Sequence, residues 1–197
     1  MHTTIERVRG PAARRFTYDE YVQLAETGLF RDQRVELLGG RIMLMSAQTH
    51  EHFAGVSLVS RVLTDVFGDE YWVRTQGPLL IAEASVPEPG VAVVGGRERD
   101  YNHTGHPTTA VLIVEVSDTS LSYDRRHKGG AYAKCGIADY WILNLPKQQL
   151  EVYRTPVADL TRPFGYRYAE RVILLRGQAA SPLVLPSVQV AVTDLLP

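Results

Sequence analysis

The chain has 197 residues, with 21 lysines and arginines against 22 aspartates and glutamates, and its formal net charge of −1 excludes a protein coated in basic residues. A single cysteine, Cys135, is expected to be a small buried residue, and it excludes both an internal disulfide framework and a zinc site with two thiolates. Because no apolar run approaches the length of a membrane-spanning helix, we expect one soluble, cytoplasmic domain without a membrane partner.

The first segment, residues 1–15, is basic. It contains one acidic residue, Glu6, and four arginines, Arg7, Arg9, Arg14 and Arg15. This segment is either an arm that binds phosphates or a solvated, partly ordered terminus, and the second interpretation is favoured because chain ends commonly fray. Residues 16–197 are expected to form a single domain. There, Thr17 and Glu20 have the spacing of a capping box, which predicts a helix that Gly28 would end.

Residues 34–45 read as two strands joined by a tight turn at Gly39 and Gly40. Glu36 lies in the first of these strands. One interpretation of Glu36 is an exposed charge that pairs across the hairpin with Arg34 or Arg41.

Thr49 is a candidate N-cap for a helix over residues 50–67, which has an apolar face at helical spacing and would end at Gly68. His50 and His52 lie in the first turn of this helix. A metal-binding role is one interpretation of them, but neither has another metal-binding residue type three or four positions later. Surface histidines are therefore the favoured interpretation.

Several short elements are expected in the following part of the chain. Residues 71–75 and 78–82 read as strands. Residues 85–90 form an extended approach to a short buried strand at residues 91–94. Residues 97–107 are polar and predict a surface loop of a length that often flanks functional sites.

The most informative stretch runs from residue 110 to residue 145. It begins with a near-continuous apolar run typical of a strand covered on both faces, and Glu115 lies near the C-terminal end of that run. A carboxylate in such a place is costly unless a group binds it, and a cation is the usual answer. Helical spacing then places Asp124, Lys128 and Tyr132 in one stripe before a second buried strand. This strand–helix–strand unit gathers polar residues at a position where open sheets bind ligands.

These polar residues also have simpler explanations. From the residues alone, Glu115 and Lys128 are as well explained by a structural ion pair as by a functional site. Tyr132 taken alone is more often a core residue. Arg125 and Arg126 flank this stripe and could contact phosphates, although a solvated helix face explains them nearly as well.

The last part of the chain has weaker signals. Residues 149–154 alternate in polarity and predict a strand that pairs back on the strand before it. Residues 171–175 and 183–185 read as further short strands, and a last turn is expected at residues 192–196.

Five sequence blocks together resemble one known family in order and spacing. They are residues 34–42, residues 86–94, residues 113–117, the stripe of Asp124, Lys128 and Tyr132, and residues 136–142. Through them the chain resembles, over roughly residues 16–155, the Uma-two (Uma2) family, a bacterial group of restriction-endonuclease type in the PD-(D/E)xK nuclease superfamily. Any one block would be weak evidence, and the combination is what is specific.

The resemblance implies an α/β (α+β) fold of the restriction-endonuclease-like class, with a mixed β-sheet flanked by helices and additional β-hairpins. The motif core would span residues 34–145. The resemblance also implies a Mg²⁺-dependent endonuclease that acts on DNA, a Mg²⁺ (or Mn²⁺) site at one sheet edge, and a homodimer.

The implied metal site follows residue by residue. Glu115 matches the metal-binding acid of the family motif, and the next residue, Val116, would offer its backbone carbonyl. Glu36 matches an upstream acid placed to bind metal-ligated water or a second ion. Such oxygen ligands suit the hard divalent cation that phosphodiester hydrolysis requires.

The implied catalytic lysine comes from the helix that follows. Two positions after the metal-binding acid this chain has Ser117 instead of lysine, and Lys128 matches the residue that the family uses to position the attacking water. Asp124 and Tyr132, on the same stripe, would support Lys128.

One position departs from the family pattern, which has Pro-Asp where this chain has Pro89 and Gly90. Glycine gives a metal no side-chain ligand. Glu88 lies two residues away and faces the same side in a strand, so its longer side chain could replace the lost carboxylate. Otherwise Glu115 and Glu36 alone would hold the ion, and Mg²⁺ affinity would drop sharply. A simple backbone bend also explains the glycine.

The sequence therefore leaves three functional readings. The first is a metal-dependent DNA endonuclease, impaired by Gly90. The second is a catalytically inactive protein that keeps the nuclease fold and binds nucleic acid or a protein partner. The third is a purely structural, β-rich scaffold.

Overall fold

The structure is a computed structural model that describes residues 12–82 and 84–197. Residues 1–11 of the predicted basic arm, among them Glu6, Arg7 and Arg9, lie outside the described residues. The other two arginines of the arm make contacts: Arg14 pairs with Glu20, and Arg15 donates a hydrogen bond to the carbonyl of Gly39.

Along the chain, helical segments alternate with groups of strands. They are α1 (Tyr18–Glu26), β1 (Val35–Leu38), β2 (Arg41–Leu44), α2 (His50–Phe67), β3 (Tyr71–Thr75), β4 (Val91–Gly95), β5 (Leu112–Ser117), α3 (Leu121–Tyr123), a π-helical turn (Asp124–Lys128), α4 (Gly129–Lys134), β6 (Asp139–Asn144), β7 (Gln149–Ala158), β8 (Tyr166–Leu175), β9 (Ala179–Ala180), β10 (Val190–Ala191) and α5 (Val192–Leu195).

A six-stranded sheet in the order β3-β4-β5-β6-β7-β8 forms the centre of the fold. Strands β5 and β6 pair in parallel, and the other neighbouring strands of this sheet pair antiparallel. Parallel neighbours need a crossover connection. Residues 121–134, in which α3, the π-helical turn and α4 run on from one another, supply it and are called the crossover helix below. The predicted mixed sheet flanked by helices is confirmed.

The two faces of the sheet carry separate apolar cores. Helix α2 packs on one face through residues such as Val59 and Leu63, together with Val114 and Val116 of β5. The crossover helix covers the other face, where Ile113 of β5 lies in the core. All six residues of β5 are buried, in agreement with the predicted two-sided burial. Glu115 alternates with its neighbours and therefore points toward the crossover helix.

Helix α2 begins and ends as the sequence predicted. The Thr49 hydroxyl accepts a hydrogen bond from the backbone N–H of His52 at 3.1 Å, which satisfies one of the free donors of the first turn. Gly68 ends the helix with a φ of 57°, a conformation that glycine adopts without strain. The capping box of α1 is also present, because Thr17 and Glu20 exchange both of its hydrogen bonds.

The predicted strand at residues 78–82 is wrong. The backbone N–H groups of Leu79 and Ile81 donate to the carbonyls of Pro87 and Ser85, and a single bridge joins Ala82 to Ser85. The segment is thus a tight local reversal. Leu80 also donates to the carbonyl of Pro107, but within the described residues the segment forms no ladder with a neighbouring strand.

The predicted strand at residues 183–185 is also wrong, because this segment forms turns, with the Leu185 N–H bonded to the Pro182 carbonyl. A proline on each side withholds the N–H that a ladder needs. The prediction for residues 171–175 found only the end of a longer strand. Strand β8 begins at Tyr166 and pairs with the whole of β7, which itself extends to Ala158.

The crossover helix differs from the regular helix that the stripe spacing predicted. Its π-helical turn includes a bond from the Gly129 N–H to the Asp124 carbonyl, which also accepts a hydrogen bond from the Tyr140 hydroxyl at 3.0 Å. Asp124, Lys128 and Tyr132 are nevertheless all buried on the sheet side. Such π-turns frequently occur at functional sites. Within the described part of the chain, none of the helices has the length and apolar character to cross a membrane.

Candidate active site

A cavity of about 500 Å³ opens where β4 and β5 separate. The pairing of these strands ends at Val91 and Val114, so Glu115 lies just beyond the last pair. The first turn of α2, the segment before β4 and the crossover helix complete the walls. The lining residues that carry charge or metal-binding groups include Arg34, His52, Glu88, Glu115, Asp124 and Lys128.

Glu115 lies at the base of this cavity with an exposed fraction of 5%. Its Oε2 accepts a hydrogen bond from the backbone N–H of Gly90 at 3.1 Å. Its Oε1 accepts hydrogen bonds from Lys128 Nζ at 3.1 Å and from the Tyr132 hydroxyl at 2.8 Å. The structure therefore places the predicted acid, the predicted lysine and the predicted supporting tyrosine in one contact network.

Lys128 bridges two acids from distant parts of the chain. Its Nζ lies 3.2 Å from Glu36 Oε2 as well as 3.1 Å from Glu115 Oε1, and the lysine is only 1% exposed. Glu36 also accepts hydrogen bonds from the Tyr123 hydroxyl and from the backbone N–H of Glu88, each at 3.1 Å. The interpretation of Glu36 as an exposed cross-strand charge is wrong. The hairpin turns this side chain inward, and Glu36 is fully buried.

Asp124 is fixed from the side of β5. Its Oδ2 accepts hydrogen bonds from the Ser117 hydroxyl at 2.6 Å and from the Ser120 hydroxyl at 2.5 Å. Ser117 lies two positions after Glu115, where the (D/E)xK pattern of the superfamily would predict lysine. Its hydroxyl anchors the start of the π-helical turn, while the ammonium group comes from Lys128.

The site holds three buried carboxyl groups and one buried ammonium group, so it would carry two excess negative charges with all four ionised. Burial raises the pKa of Glu115 to about 7, because it outweighs the opposing effect of Lys128. Burial likewise raises the pKa of Asp124. Burial alone would lower the pKa of Lys128, but Glu115, Glu36 and Asp124 outweigh it and raise the pKa above its ordinary value. The excess of negative charge therefore favours protonation of the carboxyl groups or the approach of a cation.

Gly90 packs against the backbone of β5. A Cβ atom at this position would lie 3.1 Å from the Val114 carbonyl oxygen and 3.3 Å from the Val116 nitrogen, which is closer than most real Cβ contacts. Glu88 lies before β4 in an extended segment and lines the same cavity, half-buried, with its carboxylate 3.8 Å from the Arg34 guanidinium group. Burial raises the pKa of Glu88. The replacement of the missing carboxylate by Glu88 stays a prediction.

The two arginines predicted to bind nucleic acid have different surroundings. Arg125 is held by the fully buried carboxylate of Glu151, through its Nε at 2.9 Å and a second bond from its NH2 group. Arg126 is exposed and makes no ion pair within the described residues. Of the pair, Arg126 has the side chain that is free to meet a phosphate.

Sequence reasoning missed three residues of the cavity. Tyr123 fixes Glu36, and Arg34 brings a half-exposed guanidinium group to the cavity wall. The sequence favours a surface position for His52, but this residue lines the cavity, and its Nδ1 is buried without a hydrogen-bond partner among residues 12–82 and 84–197. No local sequence signal identifies Tyr123 or Arg34, whereas the early position of His52 in α2 is visible in the sequence.

The charge of the cavity residues suits a divalent cation, but these residues offer few ligand atoms. No group of three or more His, Cys, Asp or Glu side chains in the described chain is arranged to hold a metal ion. Glu115 Oε1 has two donors and Oε2 has one, so a carboxylate with four acceptor positions keeps one free. The residues fit an ion bound by one or two carboxylates, a backbone carbonyl and water, which is common for Mg²⁺.

Comparisons with known proteins agree with this fold. A family model described as “Putative restriction endonuclease” (Uma2) matches residues 18–193. The structure is similar to the crystal structure of a putative nuclease belonging to DUF820 from Anabaena variabilis, with a TM-score of 0.66 and 15% sequence identity over 91% of this chain and 97% of that chain. At that identity the likeness shows the fold alone. No curated protein sequence matches this chain.

Proposed function

This chain belongs to the Uma2 family, which is described as putative restriction endonucleases, and on that premise we propose that it is a divalent-metal-dependent endonuclease that hydrolyses phosphodiester bonds in DNA. The observation that carries the proposal is the buried Lys128 ammonium group, held between Glu115 and Glu36 at the wall of an open cavity. A buried lysine with two carboxylates resembles the acid–lysine pair of the family. A DNA substrate also fits the expected cytoplasmic location.

Glu115 and the backbone carbonyl of Val116 would hold the ion, Mg²⁺ or Mn²⁺, with Glu36 or Glu88 reaching it through water. When bound, the ion neutralises charge on the phosphate and lowers the pKa of the attacking water. The excess of negative charge in the site supports this assignment, because a divalent cation would balance it.

Lys128 acts in this scheme as a fixed positive charge. Its carboxylate neighbours raise its pKa, so it stays protonated at neutral pH and cannot accept a proton from water. Its Nζ has one N–H beyond those directed at Glu115 and Glu36, and this N–H can donate either to the attacking water or to a phosphate oxygen as negative charge develops there. Glu115 and Glu36 restrict its position, Tyr132 fixes Glu115 in turn, and this preorganisation is the main contribution of the network.

Binding of DNA would use the basic groups nearest the cavity. Arg34 lines it, and Arg126 is exposed on the crossover helix, so both can pair with phosphates. We also propose a homodimer, since two copies would present two cavities to the two strands of a duplex. The edge strand β8, with Val172, Ile173 and Leu175 partly exposed, is a surface that supports such an association.

Gly90 favours a second candidate function. This position offers no carboxylate, and its backbone N–H already occupies Glu115 Oε2. A protein with this site could keep the fold and the cavity, bind DNA or a protein partner, and cleave slowly or not at all. The two candidates differ in catalysis and share the binding site.

Plasmid nicking with Mg²⁺ or Mn²⁺ separates these candidates. The native chain, Glu115→Gln and Gly90→Asp are compared, with Lys134→Met, on the exposed side of the crossover helix, as a matched control. Cutting by the native chain that Glu115→Gln abolishes supports the endonuclease. Cutting only by Gly90→Asp supports an inactivated nuclease. If no variant cuts, and Glu115→Gln leaves divalent-ion and DNA binding unchanged, the nuclease proposal is wrong.

A further inference from the structure

His52 lies over the end of β5 because the start of helix α2 is fixed there on both sides of it. Three residues before it, the Thr49 hydroxyl donates a hydrogen bond to the Asp118 carboxylate at 3.2 Å, which ties the N-cap to the residue after β5. Three residues after it, Gly55 packs so closely that a Cβ there would lie 3.1 Å from Val116 Cγ1. Residues three apart share a helix face. His52 thus lies beside Val116 at the end of β5, on the α2 side of the sheet, and lines the same cavity as Glu115.

One nitrogen of the His52 imidazole has almost no accessible surface. Nδ1 is buried, and no described residue makes a hydrogen bond to it. A buried polar atom without a partner costs free energy, and such an atom calls for an explanation. Burial lowers the pKa of His52, although the nearby Val116 carbonyl acts in the opposite direction. A neutral imidazole can present a lone pair to a cation.

The cavity also lacks one ligand at a nearby position. Gly90 gives no carboxylate, and His52, whose Nδ1 has no hydrogen-bond partner among the described residues, lines the same cavity near the Val116 carbonyl. We propose that His52 Nδ1 is a ligand of the divalent cation held by Glu115, in place of a carboxylate at position 90. This inference rests on the proposed metal site and adds to it a residue and an ion preference.

The ion preference follows from the ligand chemistry. A site of carboxylates, carbonyls and water suits Mg²⁺, whereas an imidazole ligand favours transition-metal dications, among which Mn²⁺ is the weakest binder in the usual affinity order. The site therefore binds Mn²⁺ more tightly than Mg²⁺. Because Mn²⁺ is also paramagnetic, it reports directly on the nuclei of its ligands.

Electron paramagnetic resonance with added Mn²⁺ tests the proposal without an activity assay. In the native chain, the bound ion is expected to show a ¹⁴N coupling from a histidine ligand. His52→Gln is expected to lose this coupling and to raise the Mn²⁺ dissociation constant about tenfold or more, in line with losses seen when metal-site groups are removed. His50→Gln, an exposed histidine in the same helical turn, is the matched control and should change neither quantity.

The outcomes distinguish this inference from the function on which it rests. If the native chain binds no Mn²⁺ or Mg²⁺, the proposed metal site itself is wrong. If an ion binds and Glu115→Gln removes it, but His52→Gln leaves the nitrogen coupling and the dissociation constant unchanged, only the role of His52 is refuted. Tighter binding of Mg²⁺ than of Mn²⁺ also refutes it. If His52→Gln does not fold, the native chain is labelled with ¹⁵N-histidine instead. A nitrogen coupling that does not change with this label would show that the ligand is not a histidine and would refute the proposal.

Discussion

Replacement of Lys128 by methionine is expected to destabilise the protein by about 3–5 kcal/mol at neutral pH, the cost of removing one partner of a buried ion pair. Lys128 is 1% exposed, and its Nζ lies 3.1 Å from Glu115 and 3.2 Å from Glu36. Methionine has a similar length, so the main change is the loss of charge between two buried carboxylates. For a domain of this size, that loss lowers Tm by roughly 6–20 °C.

The size of this effect should depend on pH. Burial raises the pKa of Glu115 to about 7 even though the Lys128 ammonium group opposes this shift. Removal of the ammonium group should therefore raise the pKa of Glu115 further. A carboxyl group whose folded pKa is raised contributes stability below its unfolded pKa and loses it as pH rises through the folded value. The difference between the native chain and Lys128→Met is therefore expected to be larger near about pH 8 than near about pH 5.

Urea unfolding at the two pH values measures this prediction. Lys134→Met, which removes an exposed lysine of the same crossover helix, is the matched control and should stay within about 0.5 kcal/mol of the native chain. In the Lys128→Met background, Glu115→Gln should recover part of the loss, because it removes one of the uncompensated charges. A loss below about 1 kcal/mol near neutral pH, or a larger loss at the acidic pH, would refute the reasoning.

Three further substitutions probe the rest of the structure. Gly90→Ala should destabilise the protein by about 1–3 kcal/mol, measured by thermal melting, since its Cβ would lie 3.1 Å from the Val114 oxygen; an unchanged Tm would contradict the tight packing. Tyr132→Phe should cost about 1.5–3 kcal/mol in urea unfolding, because the hydroxyl donates to Glu115 at 2.8 Å, and a smaller loss would mean that the bond adds little. Burial alone would raise the pKa of Glu151, but hydrogen bonds, of which that from Arg125 is the strongest, lower this pKa to about 2. The ionised Glu151 carboxylate therefore stabilises the fold above the pKa that Glu151 has in the unfolded chain, and this stabilisation is lost as the pH falls toward the folded pKa. Glu151→Gln should flatten this part of the acid-stability curve, and an unaltered curve would show that Glu151 is not its source.

The parts of the fold that the sequence predicted well depend on local signals. Helix α2 has its cap at Thr49 and its stop at Gly68, and both lie next to the apolar pattern that they bound. Strand β5 is buried on both faces and shows it as an apolar run. The wrong strands at residues 78–82 and 183–185 have apolar residues but no partner strand, and a partner cannot be read from a short window.

In the candidate site, too, local patterns predicted some contacts, whereas contacts between distant residues could not be predicted from them. Helical spacing was sufficient to bring Lys128 and Tyr132 together, even though the π-helical turn depends on a contact with Tyr140 that no local pattern indicates. The contact between Lys128 and Glu36 joins residues far apart in the chain, and only the family resemblance pointed to it. His52 was misassigned because the packing of α2 on β5 decides which side of its first turn faces the cavity. The assigned roles of these residues stay predictions until the substitutions are measured.

The β1–β2 hairpin belongs to a sheet of its own, yet it supplies Glu36 to the cavity. Its links to the rest of the chain include two backbone bonds of 2.7 Å, from Val86 to Leu37 and from Gly40 to Ala84. A two-stranded segment outside the central sheet is expected to open more readily than the six-stranded sheet, and its amide protons should exchange with solvent sooner. A ligand that binds to Glu36 would slow this exchange. Amide exchange in the hairpin therefore reports whether the cavity is occupied, without a signal from the bound molecule.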